Sequence, residues 1–264
     1  MTQLHQKSVK ARFSHAAKTY QNEAVVQQCA AKKLADSIHF DEPPKMILEV
    51  GSGTGFLTSI LLERFPDAEI IAVDFAPDMV EEAKMFCNES PSVHWVVEDI
   101  LDFETDKKFD LIVSSSTLQW ISPLLPLFEK LRGFLKPSGK FAASIMLDGT
   151  LKELHGLRRE CVPDKLPAAR LPNQAAVSRA LNKAEFEVLV QDDDYQEVEF
   201  EDALSFFRSL HDLGVTGGDL SHGKQLLTRR ELMKLIAKYG NRFQAINGGV
   251  FATYRVGYFL AARL

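Results

Sequence analysis

Three glycines alternate with other residues in LEVGSGTGFL (Leu48–Leu57): Gly51, Gly53 and Gly55. An apolar run precedes them and another follows, so the loop joins a strand to a helix, where doubly wound folds bind ligands. Loop N–H groups and the helix N-terminus favour an anion there, and glycine lets the backbone come close to it. A phosphate, a dinucleotide and a sulfonium cofactor would each suit such a loop, and spacing discriminates among them. A dinucleotide loop reads G-x-G-x-x-G and a phosphate loop G-x-x-x-x-G-K-S/T. Here the spacing is G-x-G-x-G, with no Lys at the phosphate-loop position. Glu49, inside the strand end, is unfavourably placed beside a pyrophosphate.

Two further acids follow in register. Asp74 ends a second apolar run in AVDFAPDMV, 19 residues after Gly55. A carboxylate there can accept two hydrogen bonds from vicinal ribose hydroxyls. Phe75 and Met79 are placed to flank an adenine, and Asp99-Ile100 follows a third apolar run, VHWVV. No His-Asp or Cys-His spacing marks an activated nucleophile, and the seven histidines are scattered.

These residues require a scaffold of alternating strands and helices. Short apolar runs at 46–50, 69–75, 93–97, 109–115 and 140–147 alternate with helical segments at Phe56–Phe65, Asp78–Asn88 and Leu124–Leu135. That alternation predicts an α/β fold, doubly wound around a mostly parallel sheet covered on both faces. Residues 46–148 form the cofactor-binding core, with a sharp turn at Lys136-Pro137-Ser138-Gly139 before the fifth strand. Two N-terminal helices occupy 8–38, breaking near Thr19–Asn22. Residues 150–172 carry no strand pattern. A helix at 173–184, an extended stretch ending near Phe200, helices at 201–213 and 228–239, and a final strand complete the chain. The loop Gly214-Val215-Thr216-Gly217-Gly218 separates the last two helices. We therefore expect a single domain over 1–264, with cap insertions at 150–172 and 201–247.

Bulk composition excludes several classes. The chain of 264 residues is 45% hydrophobic and 25% charged, long enough to bury a core without metals or disulfides. Its net charge of −5 argues against a general nucleic-acid binder. The three cysteines, Cys29, Cys87 and Cys161, have no metal-ligand spacing and read as reduced core thiols. No apolar stretch reaches the ~20 residues of a membrane span, and MTQLHQKSVKARF is too polar for a signal peptide. A soluble cytoplasmic protein without metal is the expectation.

The pattern E-V-G-S-G-T-G, followed by Asp74 and Asp99, resembles class I S-adenosylmethionine-dependent methyltransferases, whose fold is a Rossmann-like sheet of seven strands. The resemblance implies cofactor contacts from Glu49, Gly51, Ser52, Gly53, Gly55, Asp74, Phe75, Met79, Asp99, Ile100 and Ser115. Further segments narrow the family. F-x-x-A-A-x-x-Y-x-x-x-A-x-x-Q runs from Phe13 to Gln27, and SSSTLQW ends in Leu118-Gln119-Trp120. With Gly149–Leu154, FFRSLHDLGVTGG (206–218) and LTRREL (227–232), they resemble the malonyl-acyl-carrier-protein O-methyltransferases of biotin biosynthesis from about residue 7 onward. The chain departs from the common pattern at Ser116, where Asn is usual, and over 155–172.

That resemblance implies methyl transfer to the free carboxylate of a malonyl thioester, on acyl carrier protein or on coenzyme A. A carboxylate is already ionised near pH 7, so catalysis reduces to alignment and desolvation. The N-terminal helices over 8–38 are the lid candidate, with Tyr20, sharing a helix face with Phe13, closing over the cofactor and offering its hydroxyl to the methionine carboxylate or the substrate. Arg208 is the candidate grip on the malonyl carboxylate, because its fork matches a carboxylate. Gln119 and Trp120, after the fourth strand, are placed to shape the thioester pocket. Residues 151–183 hold seven Lys/Arg against three acids, a patch that could steer an acidic carrier. A monomer is expected. The alternatives are a small-molecule methyltransferase acting on a quinone precursor or another carboxylic acid, and a non-catalytic cofactor-binding regulator.

Overall fold

A parallel strand buried on both faces needs an unbroken apolar sequence, and the interior apolar runs fold as such strands, while 93–97 forms a partly exposed edge strand. The computed structural model describes residues 3–167, 170–215 and 227–264. In chain order the elements are α1 (Gln3–Glu23), α2 (Val25–Ser37), β1 (Met46–Val50), α3 (Phe56–Arg64), β2 (Glu69–Asp74), α4 (Pro77–Phe86), β3 (Val93–Val97) and β4 (Phe109–Ser115). After a 3₁₀ turn at Leu118–Trp120 come α5 (Leu124–Phe134), β5 (Leu135–Met146), α6 (Lys152–Cys161), α7 (Gln174–Lys183), β6 (Phe186–Phe200), α8 (Ala203–Asp212), α9 (Arg229–Arg242) and β7 (Val250–Arg263).

The strands form one seven-stranded sheet in the order β3-β2-β1-β4-β5-β7-β6. Parallel pairing joins β1 to β2 and β4, β2 to β3, and β4 to β5. The chain winds outward from β1 through β2 and β3, then returns to begin β4 on the other flank of β1. This reversal between β1 and β4 is the topological switch point, where loops at the strands' carboxyl ends diverge and leave a crevice.

By contact density the chain divides into two compact units: Gln27–Ile145 with Pro172–Asp193 and Gly257–Leu264, and Met1–Val26 with Met146–Leu171 and Asp194–Val256. The first holds β1 to β5 around Ile47, Leu48, Leu61, Ile70 and Ile112, with Phe128, Phe141 and Phe186 packed ring against ring at 5.5 Å. The second is built on aromatic packing. Phe206 stacks on Tyr239 at 4.7 Å, and the buried Tyr239 hydroxyl donates to the Phe251 carbonyl at 2.9 Å. Capping boxes fix its helix starts: Asp202 with Ser205 at α8, and Thr228 with Glu231 at α9.

Several expectations need correction. The N-terminal helices break at Ala24, a little beyond the predicted place. The turn at Lys136–Gly139 lies inside β5 as a bulge, where the register against β4 jumps between Phe109 and Leu111. Residues 150–172 contain a helix, α6. Thr216, Gly217 and Gly218 of the predicted loop lie outside the described residues. Of the three cysteines only Cys87 is buried, Cys29 being exposed.

The sheet's end remote from the glycine loop is held by Asp110. Its Oδ2 accepts from the Lys45 and Met46 amides at 3.0 and 2.9 Å, and Lys136 Nζ reaches both oxygens at 2.8 and 2.9 Å. Burial acts to raise the carboxyl pKa, but these donors outweigh it and hold it below the usual range. The unfolded chain therefore binds the proton more tightly, and this stability is present above about pH 4 and lost as acid protonates the folded carboxylate. We expect Asp110→Ala to cost about 2 kcal/mol at pH 7 and clearly less at pH 3, measured by denaturant unfolding.

Candidate active site

The glycine loop leaves β1 and is tied at once to both neighbouring strands. Gly51 and Ser52 amides donate to the Val73 carbonyl of β2 at 2.7 and 3.2 Å. The Gly53 amide donates to Asp74 Oδ2 at 2.9 Å, while Asp74 Oδ1 accepts from the Ala76 amide at 2.9 Å. On the β4 side, buried Ser114 Oγ donates to the Val50 carbonyl at 2.7 Å, and Thr117 Oγ1 donates to the Gly51 and Ser115 carbonyls at 3.3 and 3.1 Å. Ser115 Oγ lies 2.8 Å from Ser144 Oγ on β5. The loop is thereby pinned across the switch point.

Each glycine answers a different demand, although all three have φ in the left-handed region. A Cβ on Gly51 would lie 2.2 Å from Thr117 Oγ1, and one on Gly55 would crowd Ala83 and Cys87 at 3.1 Å. Gly53 would meet nothing within 4 Å. Its bare Cα faces open space.

A buried carboxyl and a buried thiol adjoin this loop. Glu49 is 1% exposed, and Thr58 Oγ1 on α3 donates to its Oε2 at 2.6 Å. Burial pushes its carboxyl up to about 8, against the lowering effect of Thr58 and with a further rise from Asp74's charge. Burial likewise pushes the Cys87 thiol up to about 12, with Glu49 adding to the shift.

The remaining predicted residues fall into two groups. In the unit of β1 to β5, Phe75 is half-buried after β2, Met79 is buried on α4, and Ile100 is buried after β3. Asp99 is half-buried and its Oδ1 accepts from the Leu101 amide at 2.9 Å, closing an Asx turn. Gln119 is buried and Trp120 half-buried in the 3₁₀ turn that follows Thr117. Glu49, the glycine loop, Asp74, Ser115 and Gln119 therefore lie on loops and strand ends that meet at the switch point. Tyr20 and Arg208 belong to the other unit. There Tyr20 lies half-buried with its ring centroid 6.3 Å from that of Phe13, so the expected shared helix face exists. Helix α1 meets α8 where Thr19 Oγ1 donates to the Asp212 carbonyl at 2.9 Å. Helix α8 buries Phe206 and Leu210 and leaves Arg208 exposed.

The basic patch changes character. Arg158 is buried, with Nη2 donating to the Lys165 carbonyl at 2.7 Å, and Lys165 pairs with Glu231 at 2.8 Å. Neither is available to steer a partner. Sequence reasoning also missed Thr58, Ser114, Thr117 and Ser144, small hydroxyl residues whose roles arise from partners that the fold brings to them.

These groups fit a nucleoside-bearing ligand with a polar head. Asp74 is oriented by two amides, Gly53 is open, and the buried Ser52 Oγ, Ser116 Oγ and Gln119 Oε1 find no partner among the described residues. Among the described residues no group of three or more His, Cys, Asp or Glu is placed to hold a metal, and no helix is long and apolar enough to cross a membrane.

Comparisons with known proteins agree with this geometry. Residues 47–139 match the family described as "Methyltransferase domain". Malonyl-acyl-carrier-protein O-methyltransferase 1 of Ilyobacter polytropus is 34% identical, covering 92% of this chain and 90% of its own length. The malonyl-acyl-carrier-protein O-methyltransferase of Geobacter sulfurreducens is 32% identical over 98% of this chain and 100% of its own. Among solved structures, a Bacillus halodurans protein superposes with a TM-score of 0.63 at 14% identity, covering 89% of this chain and 99% of that one. Geranyl diphosphate C-methyltransferase of Streptomyces coelicolor, solved with S-adenosyl-L-homocysteine, gives 0.53 at 16% identity over 89% of this chain and 79% of that one.

Two stability measurements check the loop. Gly51→Ala should cost about 3 kcal/mol or more, from overpacking added to left-handed strain, and Thr117→Ala should restore part of it. Gly53→Ala, with strain alone, should cost about 1 kcal/mol. The second concerns Glu49, whose folded pKa of about 8 exceeds its unfolded value. The folded state then holds the extra proton, so stability falls as pH rises from about 5 to about 8. Melting temperatures across that range should decline less in Glu49→Gln than in the wild type.

Proposed function

The chain belongs to the malonyl-acyl-carrier-protein O-methyltransferase family, and from that premise we propose that it methylates the free carboxylate of a malonyl thioester on acyl carrier protein. The ester masks a charge, so that fatty-acid enzymes can elongate the chain towards pimelate for biotin. What carries this proposal is likeness that extends past the glycine loop through both units, over 98% of the chain and the whole of one relative. S-adenosylmethionine, when bound, supplies a methyl group on a positively charged sulfur, an electrophile that needs no activation by the protein.

The chain's own residues then have two tasks. Asp74, its plane fixed by Gly53 and Ala76, holds the ribose hydroxyls, and Asp99 accepts from the adenine amine. Phe75, Met79 and Ile100 enclose the base. The glycine loop with Glu49, Ser52 and Ser115 takes the amino-acid end. The second task concerns the acceptor. A carboxylate ionised at pH 7 needs no base; it must lose water and lie in line with the carbon–sulfur bond. Arg208 grips the malonyl carboxylate through its fork, Trp120 shapes the thioester pocket, and the Tyr20 hydroxyl orders the carboxylate of cofactor or substrate. The chain acts as a monomer.

The deciding experiment incubates the protein with methyl-labelled S-adenosylmethionine and either malonyl-acyl carrier protein or malonyl-coenzyme A. A labelled, base-labile ester is expected on the carrier protein; label on coenzyme A alone would reassign the carrier, and none on either would reject the acceptor. Arg208→Lys should lower kcat/KM at least about tenfold, the scale of one lost charged hydrogen bond. Near-normal turnover would remove Arg208 from this role. Unchanged kcat and cofactor affinity in Tyr20→Phe would do the same for Tyr20.

A further inference from the structure

The side chain of Gln119 is 9% exposed and its two polar atoms have different fates. Nε2 donates to the Ser116 carbonyl at 2.6 Å. A carbonyl can only accept, so this bond fixes the amide orientation and turns Oε1 away from it. Oε1 is buried and finds no partner among the described residues. It is an acceptor alone, and leaving such an atom unpaired is unfavourable until a donor reaches it.

Its surroundings identify the donor. Residue 116 has φ +54, and its amide donates to the Ser144 carbonyl at 2.9 Å, which fixes the turn that carries Gln119. Thr117, between them, contacts Gly51, so the loop of Gln119 adjoins the loop of Ser52. The hydroxyls of Ser52 and Ser116 are likewise buried without partners among the described residues. One obligate acceptor and two hydroxyls able to donate thus share two adjoining loops. A malonyl carboxylate offers only acceptors and would be repelled by Oε1. A zwitterionic amino-acid head offers an N–H donor and a carboxylate together.

We infer that Gln119 is a positioning residue for the methyl donor: Oε1 accepts from the α-ammonium of S-adenosylmethionine, while the Ser52 and Ser116 hydroxyls donate to its α-carboxylate. This rests on the proposed use of that cofactor and moves Gln119 from the thioester pocket to the donor side. Holding the ammonium fixes the methionine arm, and through it the direction of the methyl–sulfur bond.

The test measures binding, by calorimetry, of S-adenosylhomocysteine and of its desamino analogue, to the wild type and to Gln119→Met. Gln119→Met should weaken the parent ligand about tenfold, one charge-assisted hydrogen bond, and leave the desamino analogue unchanged. Equal weakening of both ligands, or neither weakened with a raised KM for malonyl-acyl carrier protein, would overturn it. If Gln119→Met does not fold, Gln119→Glu serves in its place. Carboxylate oxygens there should raise the preference for parent over desamino ligand, and an unaltered preference overturns the assignment. Should this coupling appear in a protein that methylates neither malonyl carrier, the acceptor is wrong and the role of Gln119 stands.

Discussion

The Asp74 carboxylate joins the parts of this site. A parallel sheet whose winding reverses between β1 and β4 leaves the loop after β1 with backbone groups that no strand can pair. Asp74 closes that gap on the β2 side, taking the Gly53 amide on one oxygen and the Ala76 amide on the other, next to the Val73 carbonyl that takes Gly51 and Ser52. Ser114 and Thr117 make the matching ties from β4. The loop is held in shape by its neighbours before any ligand contributes, which is what preorganised binding requires. Two amides thus fix the plane of the Asp74 carboxylate.

Electrostatics follow from the same packing. Glu49 and Asp74 are neighbouring buried acids, and two charges so close are disfavoured. Burial is the main reason Glu49 keeps its proton, with a carboxyl pKa of about 8; the bond from Thr58 works against this and the Asp74 charge adds a smaller rise, while Asp74 keeps its amide partners. A cation arriving at this loop would favour ionisation of Glu49.

The sequence disclosed the parts governed by periodicity and concealed those governed by neighbours. β1, β3 and β4 begin and end where their apolar runs do; the interior strands β1 and β4, buried on both faces, admit few polar residues, whereas β3 is an edge strand that leaves His94 and Val97 exposed. The places of Asp74 at the end of β2 and of Asp99 after β3 were legible because a strand end followed by an acid is a local pattern. Helix α6 was not, because its buried face carries Glu153, bonded to Thr253, and Arg158, bonded to the Lys165 carbonyl. Its start at Leu151, with φ +53 and no side-chain cap, gives no signal either. The same burial explains why a run of positive charges overstated the basic surface. Gly51 was read as a glycine that lets the backbone approach a cofactor; the contact seen at its Cα is with the protein's own Thr117.

Ser116 shows how departure from a family pattern can be read through geometry. Its φ of +54 lies in the left-handed region, which Asn tolerates better than Ser because its side chain can bond locally to the backbone. An Asn at this place would meet the backbone requirement with less strain. The requirement persists here, because the Ser116 amide must reach Ser144 and its carbonyl must receive Gln119. Serine meets it at some strain, held by β4, β5 and the 3₁₀ turn together, and its smaller side chain leaves a buried hydroxyl beside Gln119. Strain kept at a turn that aims a buried acceptor is what a binding site requires.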